Sequence, residues 1–400
     1  MKKILILLPT SIIIFSIFIL LSCKDIEKKK LITFLKTEKG TIPIMSINDS
    51  VEPLTESFIE NKKKQIELFS AKNWPNKSMN GGFLVAKNGV VIYENYNGFA
   101  SFEKKTTIDS ITPLHIASVS KVLTATAILK LIDAKKLDLD QKLNTILPTF
   151  PFPDVTIKTL LNHRSGLKNY AYFTNKKTIW DPKIMLKNSD ILDILATNKI
   201  PLESKTDTKF NYSNTNYALL ALVIEKITGY SYPEAMQKMI FTPLKMNHTF
   251  VFDYEKDKET ATPSYKKNNS RYALDFLDGI FGDKNIFSTP RDLLKFDLAR
   301  RSNHFLSPEL ETKVYEGYSN EHKGTKNYGL GIRMIQWETG QKYYFHNGWW
   351  HGNTSSFITL GKERLSIIAL SNKFNHATYK VKNLSPLFGD YPFKVEDSLQ

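Results

Sequence analysis

The hydrophobic pattern along the chain changes from alternation to a helical period and back to alternation. Strand-like runs flank Asn88-Gly89 in "GGFLVAKNGVVIYENYNG", and this dipeptide is typical of a two-residue β-hairpin turn. From Ser118 to about residue 135 the apolar positions follow a helical period, and the chain to about residue 300 indicates mostly helices and loops. Strand patterns return in "YGLGIRMIQW", "KYYFHNGWWHG", "SSFITL" and "LSIIALSN". We therefore predict an α+β fold, in which an antiparallel sheet built from both chain ends is flanked by helices and carries an all-helical insertion.

The same pattern divides the chain into segments. A single domain is predicted over residues 78–390, with its sheet part at about 78–117 and 300–385 and its helical part at about 118–299. The residues before it are polar and rich in Lys and Glu, with one plausible helix near 55–70. We interpret residues 23–77 as a tether and N-terminal extension, and residues 391–400 as a tail.

The first residues have the layout of an export signal. Lys2 and Lys3 precede an apolar run that ends at Leu21, and Ser22-Cys23 follows. The stretch "LLSC" resembles a bacterial lipobox, which predicts a signal peptide over residues 1–22 and lipidation of Cys23. An uncleaved membrane anchor is the alternative, because the apolar run is nearly long enough to span a bilayer. Cys23 is the only cysteine, so a catalytic cysteine, a disulfide framework and a cysteine-based zinc site are excluded from the domain.

Charge and motif content narrow the possible functions. The formal net charge is +15, which could favour an anionic partner, but no nucleic-acid-binding motif accompanies it. We interpret the lysines as a solvated surface and expect no nucleic-acid partner. The eight histidines are scattered without a His-Glu-x-x-His pattern, and neither a P-loop nor a Gly-x-Gly-x-x-Gly motif occurs. We therefore expect no metal and no organic cofactor.

A serine with a lysine three residues later is the strongest candidate for chemistry. Such a lysine lies on the same helical face and can reach the hydroxyl. A desolvated lysine loses its proton more readily and can then activate the serine. The pattern occurs four times, but only at Ser118 and Lys121 does it open an apolar helix, where the alternative is a helix cap. The other three occurrences begin at Ser101, Ser165 and Ser264.

Two further motifs could complete such a site. Tyr212-Ser213-Asn214 precedes a long apolar helix, so Tyr212 could transfer a proton and Asn214 could hold the lysine and the substrate. The alternative is a buried tyrosine followed by an asparagine cap. The other Tyr-x-Asn occurrences lie in less favourable contexts, at Tyr93 in the first hairpin and at Tyr318 in a polar stretch.

The third motif lies in the strand-like "YYFHNGWW". His346 is a candidate catalytic donor, and Asn347, Gly348 and Trp349 are candidate substrate-binding residues. Gly348 also permits close approach of another backbone. The N–H of Trp349 could then pair with the N–H of Ser118 as an oxyanion hole. A rival His-x-Gly begins at His322, in loop-like sequence, and a half-buried strand histidine is the alternative for His346.

The three motifs, in this order, resemble those of the penicillin-recognising serine hydrolases, in the branch of class C β-lactamases, D-Ala-D-Ala carboxypeptidases and related esterases. The resemblance extends from about residue 78 to residue 373 and includes "VTIKTLLNHRSGL", "IFTPLKMNHTFV", "FGDKNIFSTPRDLLKF" and "YGLGIRM". It implies a β-lactamase/transpeptidase-like fold and acylation of Ser118, with Lys121 as its base. Tyr212 would share the proton transfer, and Asn214 would orient Lys121 and the substrate. The resemblance implies no cofactor.

Two departures from the family pattern bear on the substrate. His346 stands where β-lactamases and peptidases often carry lysine, and Trp349-Trp350 stands where many relatives have small residues. Both changes favour an ester or a D-amino-acid, cell-wall-type peptide over a bicyclic lactam. A class C-like β-lactamase or penicillin-binding protein is the alternative, and an inactive envelope binding protein is a more remote one. We expect a monomer, exported to the bacterial cell envelope and held at the membrane by its lipid.

Overall fold

A seven-stranded antiparallel sheet forms the centre of the protein. The computed structural model describes residues 53–75, 78–302, 305–321 and 324–394. The strand order is β2-β1-β12-β11-β10-β9-β8, and a two-stranded sheet (β3-β4) and a three-stranded sheet (β5-β7-β6) accompany it. The strands are β1 (Gly81–Lys87), β2 (Val90–Asn97), β3 (Phe99–Ser101), β4 (Thr106–Thr107), β5 (Leu114–His115), β6 (Phe250–Val251), β7 (Ile286–Ser288), β8 (Lys326–Tyr328), β9 (Arg333–Gln336), β10 (Lys342–Trp350), β11 (Asn353–Leu360) and β12 (Leu365–Ser371).

The helices lie on both faces of this sheet and in the segment between its two halves. They are α1 (Glu56–Asn73), α2 (Ser120–Asp133), α3 (Ile157–Leu161), α4 (Tyr170–Phe173), α5 (Asn188–Thr197), α6 (Asn214–Thr228), α7 (Tyr232–Met236), α8 (Tyr254–Asp257), α9 (Pro290–Arg300) and α10 (Pro308–Val314). Short 3-10 helices span Ala117–Val119, Leu143–Thr145, Phe276–Gly279 and His376–Leu387, and Gln237–Phe241 forms a turn of π-helix.

The sheet joins the two ends of the domain as predicted. β1 pairs antiparallel with β2 across the Asn88-Gly89 turn, where both residues have positive φ, as a type I′ hairpin requires. On its other edge β1 pairs with β12, from Gly81 opposite Ser371 to Lys87 opposite Leu365. The predicted α+β architecture is therefore confirmed.

Alternation along β1 separates two hydrophobic cores. Leu84 and Ala86 belong to the larger core between the sheet and the helical segment. Phe83 and Val85 face the opposite side and belong to a second core, to which α1 and the C-terminal 3-10 helix also contribute. The predicted helix near 55–70 is therefore α1, and it packs on the outer face of the sheet.

The inserted segment departs from the prediction in one detail. Its helices are accompanied by two short strands, β6 and β7, and β7 pairs with both β5 and β6. These pairings satisfy backbone groups where the helical segment meets the sheet part. α9, at the end of the segment, packs on β12 and β1.

The predicted signal peptide and Cys23 lie outside the described residues. Within the described ranges, no helix has the length and apolar character needed to cross a membrane.

Candidate active site

The candidate nucleophile lies in a tight turn between β5 and α2. Ser118 is the middle residue of the 3-10 helix Ala117–Val119, and the N-cap position of α2 belongs to Val119 and not to Ser118. Ala117 has a φ of 48°, a left-handed conformation that costs energy for a residue with a Cβ. The Ala117 N–H donates to Nδ1 of His115 at 3.0 Å, which helps to hold this turn. The cap alternative for Ser118 therefore has no support in the geometry.

Lys121 lies one turn after Ser118, at the start of α2, and its side chain is fully buried. Its Nζ donates to Ser118 Oγ at 3.2 Å and to the carbonyl oxygen of Asp283 at 2.8 Å. A buried ammonium is costly unless it has such partners. The amine is therefore held within hydrogen-bonding distance of the hydroxyl that it would activate.

Tyr212 brings a third reactive group to the pair. Its ring centroid lies 5.1 Å from Lys121 Nζ and 4.6 Å from the guanidinium of Arg333. Burial opposes ionisation of the phenol, but the charges of Lys121 and Arg333 and hydrogen bonds with Ser118 and Lys121 hold the pKa of Tyr212 below its ordinary value. A phenol with a lowered pKa can accept and return a proton near neutral pH more readily than an ordinary tyrosine.

Asn214 is placed by the helix that follows. It is the first residue of α6, which ends at Gly229 in the left-handed conformation expected of a C-cap. The Asn214 Oδ1 atom is buried and accepts no hydrogen bond in the described part of the chain. This atom is therefore available to an N–H group that enters the site.

His346 is buried and differs in its bonding from a charged lysine at the same position. Its Nδ1 lies 2.9 Å from the Asn347 carbonyl oxygen and its Nε2 lies 3.2 Å from the Tyr328 hydroxyl. Because a carbonyl only accepts, Nδ1 carries the proton and Nε2 accepts from Tyr328. Burial, followed by the charges of Arg333 and Lys121, places the pKa of His346 well below its ordinary value. The imidazole is therefore neutral at physiological pH.

Gly348 lies against the nucleophile turn. A Cβ at this position would lie 2.6 Å from the Ile116 carbonyl oxygen and 2.8 Å from the Ser118 nitrogen. Only a residue without a side chain permits this approach, as the motif predicts. The N–H of the next residue, Trp349, and the N–H of Ser118 thus belong to backbone segments in direct contact.

One edge of β10 is open beside this contact. β9 pairs with Lys342–Phe345, whereas β11 pairs with the other edge as far as Trp350. Among the described strands, none pairs with the outer edge of residues 346–350. An extended peptide could therefore add to the sheet at this edge.

The two tryptophans have different environments. The Trp349 side chain is 63% exposed, and its Nε1 donates to the His351 carbonyl oxygen at 2.9 Å. Trp350 is half-buried against the main core, and its Nε1 donates to Asp278 Oδ1 at 2.7 Å. Trp349 is thus the one that presents an aromatic surface to solvent beside the site.

The chain matches a known protein family over most of its length. A family model described as Beta-lactamase matches residues 71–385. The chain belongs to the Beta-lactamase family. With Ser118 and Lys121 in contact, this membership makes the protein a serine hydrolase that transfers acyl groups to water.

The similar proteins include a penicillin-binding protein and a teichoic acid D-alanine hydrolase. Penicillin-binding protein 4* of Bacillus subtilis is 30% identical over 360 residues, which cover 84% of this chain and 78% of that protein. Teichoic acid D-alanine hydrolase of Staphylococcus aureus is 28% identical, over 62% of this chain and 60% of its own length. The crystal structure of a penicillin-binding protein from Bacillus halodurans, 24% identical, has a TM-score of 0.70 over 82% of this chain and 99% of its own. That likeness confirms the predicted fold.

Arg333 and His163 lie beside Tyr212 in the site, although neither belongs to one of the three sequence motifs. Arg333 makes no ion pair in the described residues, and its guanidinium lies against the Tyr212 ring and 5.8 Å from the Tyr328 ring centroid. The His163 ring lies 4.3 Å from the Tyr212 ring. Arg333 lies in "YGLGIRM" and His163 lies in "NHRSGL". Both stretches resemble the family, and this resemblance is the feature of the sequence that could have indicated the two residues.

One group of side chains in the described part of the chain has ligand atoms spaced as a metal site would require. Ligand atoms of Asp275, Asp278 and His351 lie within 4.8 Å of one another. The Asp278 carboxylate already accepts hydrogen bonds from the Trp350 indole, the His351 ring and the Asp275 N–H. These bonds account for the cluster without a metal.

Proposed function

We propose that the protein hydrolyses acyl esters or D-amino-acid peptides of the cell wall through an acyl-enzyme on Ser118. The observation that carries the proposal is the 3.2 Å hydrogen bond between Lys121 Nζ and Ser118 Oγ, with the Tyr212 phenol beside both groups. In this proposal Ser118 is the nucleophile, Lys121 is the base and Tyr212 is a proton carrier.

Acylation follows from these positions. As the Ser118 Oγ attacks the carbonyl carbon, its proton passes to Lys121 Nζ, which acts as the base in this proposal. The carbonyl oxygen becomes an oxyanion between the N–H groups of Ser118 and Trp349. When the tetrahedral intermediate collapses, the bond to the leaving group breaks and that group takes a proton through Tyr212. Water then attacks the acyl-enzyme in the same way, releasing the acid and restoring Ser118.

Substrate orientation is assigned to the open edge of β10 and to Asn214. A peptide or an acylated D-amino acid can pair with the backbone of residues 346–350, where the described strands leave an edge open. The buried Oδ1 of Asn214 can accept from a substrate N–H or from Lys121. His346 acts in this proposal as a neutral hydrogen-bonding support, and Asn347 and Gly348 contribute the substrate-binding edge.

Arg333 offers a permanent cation in place of the lysine that relatives often carry at the position of His346. Arg333 has a guanidinium with no ion pair in the described residues and lies beside Tyr212. Arginine binds carboxylates and phosphates through paired N–H groups. We therefore assign to Arg333 the recognition of an anionic group on the substrate, such as a terminal carboxylate.

The proposed substrate class combines these features with the relatives. Teichoic acid D-alanine hydrolase is named for hydrolysis that concerns D-alanine of teichoic acid, and penicillin-binding protein 4* is named for binding penicillin. We propose a D-alanyl ester or a D-alanyl peptide as the substrate, and hydrolysis or trapping of β-lactams as the second candidate. The second candidate is favoured by the similarity to penicillin-binding protein 4* over most of both chains.

We further propose that the protein acts at the cell envelope and is anchored there through lipidated Cys23. The cell-wall names of the relatives support the envelope location, and the lipobox-like "LLSC" supports the anchor. Cys23→Ser should release the protein from membranes into the soluble fraction. Continued membrane retention of this variant would point to an uncleaved anchor instead. We propose a monomer, which gel filtration with light scattering of the domain would test.

The catalytic proposal is tested by labelling with a fluorophosphonate and measuring intact mass. The wild type should gain one adduct, and Ser118→Ala should gain none while remaining folded. Ser101→Ala is the matched control, because Ser101 begins another Ser-x-x-Lys sequence, and it should label like the wild type. Equal labelling or equal ester hydrolysis by Ser118→Ala would refute the assignment. Initial rates with a D-alanyl ester, a D-Ala-D-Ala peptide and a chromogenic cephalosporin would then rank the substrates.

A further inference from the structure

Three consecutive buried residues lie behind the site and contact it at three points. Asp283, Lys284 and Asn285 precede β7, and each is at most 3% exposed. The Asn285 Oδ1 lies 2.9 Å from Nε2 of His115, the residue whose Nδ1 accepts from the Ala117 N–H before the nucleophile. The segment therefore supports the nucleophile turn through Asn285.

The second point of contact is the base. The Asp283 carbonyl oxygen accepts from Lys121 Nζ at 2.8 Å, and this bond orients the amine beside Ser118. The Asp283 carboxylate accepts from the Tyr170 hydroxyl at 2.9 Å. The orientation of Lys121 thus depends on how firmly residue 283 is held.

Lys284 holds residue 283 and also contacts the strand of the oxyanion hole. Its Nζ donates to the Tyr170 hydroxyl at 2.6 Å and lies 3.8 Å from Asp283 Oδ1. The same Nζ lies 4.7 Å from the centroid of the Trp350 ring, within the range of a cation–π interaction. Trp350 is the last residue of β10, two positions after Gly348.

We propose that Lys284 is a positioning residue. Its buried ammonium holds two parts of the site in place: the Asp283 carbonyl, which orients Lys121, and the end of β10, which carries the oxyanion hole. The inference rests on the proposed function, in which Lys121 is the base. It assigns to Lys284 the alignment of both halves of the site, and no contact with the substrate.

The charges around Lys284 give this role a measurable signature. Burial lowers the pKa of Lys284 below its ordinary value, and the charge of Lys121 acts in the same direction. The charges of Asp283, Asp278 and Asp275 act in the opposite direction. Lys284 and Lys121 interact electrostatically, so loss of the Lys284 charge changes the field at the reacting groups. The pH profile of kcat/KM should therefore differ between Lys284→Met and the wild type.

The test compares Lys284→Met with the wild type in hydrolysis of a small activated ester. Displacement of reacting groups by about 1 Å costs about 100-fold, so kcat should fall by about 10- to 100-fold while KM changes by less than about threefold. Lys130→Met is the matched control, because Lys130 is another largely buried lysine, with Nζ 4.2 Å from the Phe305 ring centroid and outside the site. It should change stability without changing kcat or the pH profile.

A second variant separates positioning from folding. Removing Lys284 leaves the Asp283 carboxylate uncompensated, so Lys284→Met with Asp283→Asn removes both charges and keeps the 283 carbonyl. This double variant should fold with near wild-type Tm and still have low kcat. Recovery of wild-type kcat in the double variant, or an unchanged kcat and pH profile in Lys284→Met, would overturn the proposal.

If the fluorophosphonate does not label Ser118 of the wild type, the proposed function fails. The role of Lys284 is then decided by crystal structures of the wild type and Lys284→Met. Displacement of Lys121 Nζ from the 283 carbonyl is expected, and an unmoved Lys121 would refute the role without reference to turnover.

Discussion

Substitution of Gly348 by alanine tests the contact on which the oxyanion hole depends. The added Cβ would lie 2.4 Å from Ser355 Oγ, 2.6 Å from the Ile116 carbonyl oxygen and 2.8 Å from the Ser118 nitrogen. The serine hydroxyl can rotate, but the other two atoms belong to the backbone of the nucleophile turn. The strain is therefore relieved only if β10 and that turn move apart.

The size of this displacement follows from the distances. For an ordinary contact, the 2.6 Å to the Ile116 oxygen must lengthen to about 3.4 Å, which separates the two backbone segments by about 0.8 Å. Loss of one oxyanion-hole donor costs about 100- to 1,000-fold in kcat, and misplacement of about 1 Å costs about 100-fold. We therefore expect kcat for an activated ester to fall by about 100-fold, equivalent to about 2.7 kcal/mol of transition-state stabilisation.

Stopped-flow acylation by an activated ester measures this effect directly, with circular dichroism to confirm the fold. Gly361→Ala is the matched control, because a Cβ at that glycine meets no atom within 4 Å, and it should acylate like the wild type. If folded Gly348→Ala acylates within about threefold of the wild type, the oxyanion hole does not lie between Ser118 and Trp349.

Three further predictions concern the charges of the site. Arg333→Gln should raise the pKa of Tyr212, because the Arg333 charge helps to lower it, and an ultraviolet difference titration against Tyr212→Phe would measure the change; an unchanged titration would exclude this coupling. Tyr212→Phe should slow acylation by about 100-fold or more, measured by burst kinetics, and an unchanged burst would remove Tyr212 from proton transfer. Stability should fall as the pH drops below about 6.5, because burial lowers the pKa of His115 to about 4 and the pKa values of His163 and His346 well below 6.5. The unfolded chain then binds more protons, so each of these histidines should lower the free energy of unfolding between pH 7.5 and 5.5, His115 by about 1 kcal/mol; urea unfolding of equal free energy at both pH values would contradict this.

Local sequence patterns predicted most of the fold because each strand or helix carries its own signal. The hairpin at Asn88-Gly89 follows from the need for positive φ at both turn residues, and both have it. The apolar period after Ser118 predicted a helix, which begins two residues later, at Ser120, because Ser118 itself lies in a 3-10 helix. Boundaries of this kind depend on tertiary contacts such as the hydrogen bond between His115 and Asn285 beside this turn.

The motifs predicted Ser118, Lys121 and Tyr212 as site residues because the residues of each motif are close together in sequence. The groups that contact them from distant parts of the chain have no characteristic spacing in the sequence. The Asp283 carbonyl lies 162 residues after Lys121, and a backbone carbonyl has no signature in a sequence. Arg333 is one of 55 lysines and arginines in the chain, so its charge alone does not distinguish it in the sequence. Only the fold shows that this one has a tyrosine ring beneath it and no ion pair in the described residues.

The bonding of His346 and Arg333 shows how a site of this family can work without the usual lysine in its third motif. A lysine there would place a mobile cation beside the substrate, whereas the His346 ring is neutral and bonded at both nitrogens. Arg333 supplies a charge that persists at all physiological pH values and lowers the pKa of both Tyr212 and His346. One guanidinium therefore favours the phenolate, keeps the imidazole neutral and remains able to bind an anionic group. Substrates that carry such a group should lose far more kcat/KM in Arg333→Gln than neutral esters do, and equal losses would limit Arg333 to its effect on Tyr212.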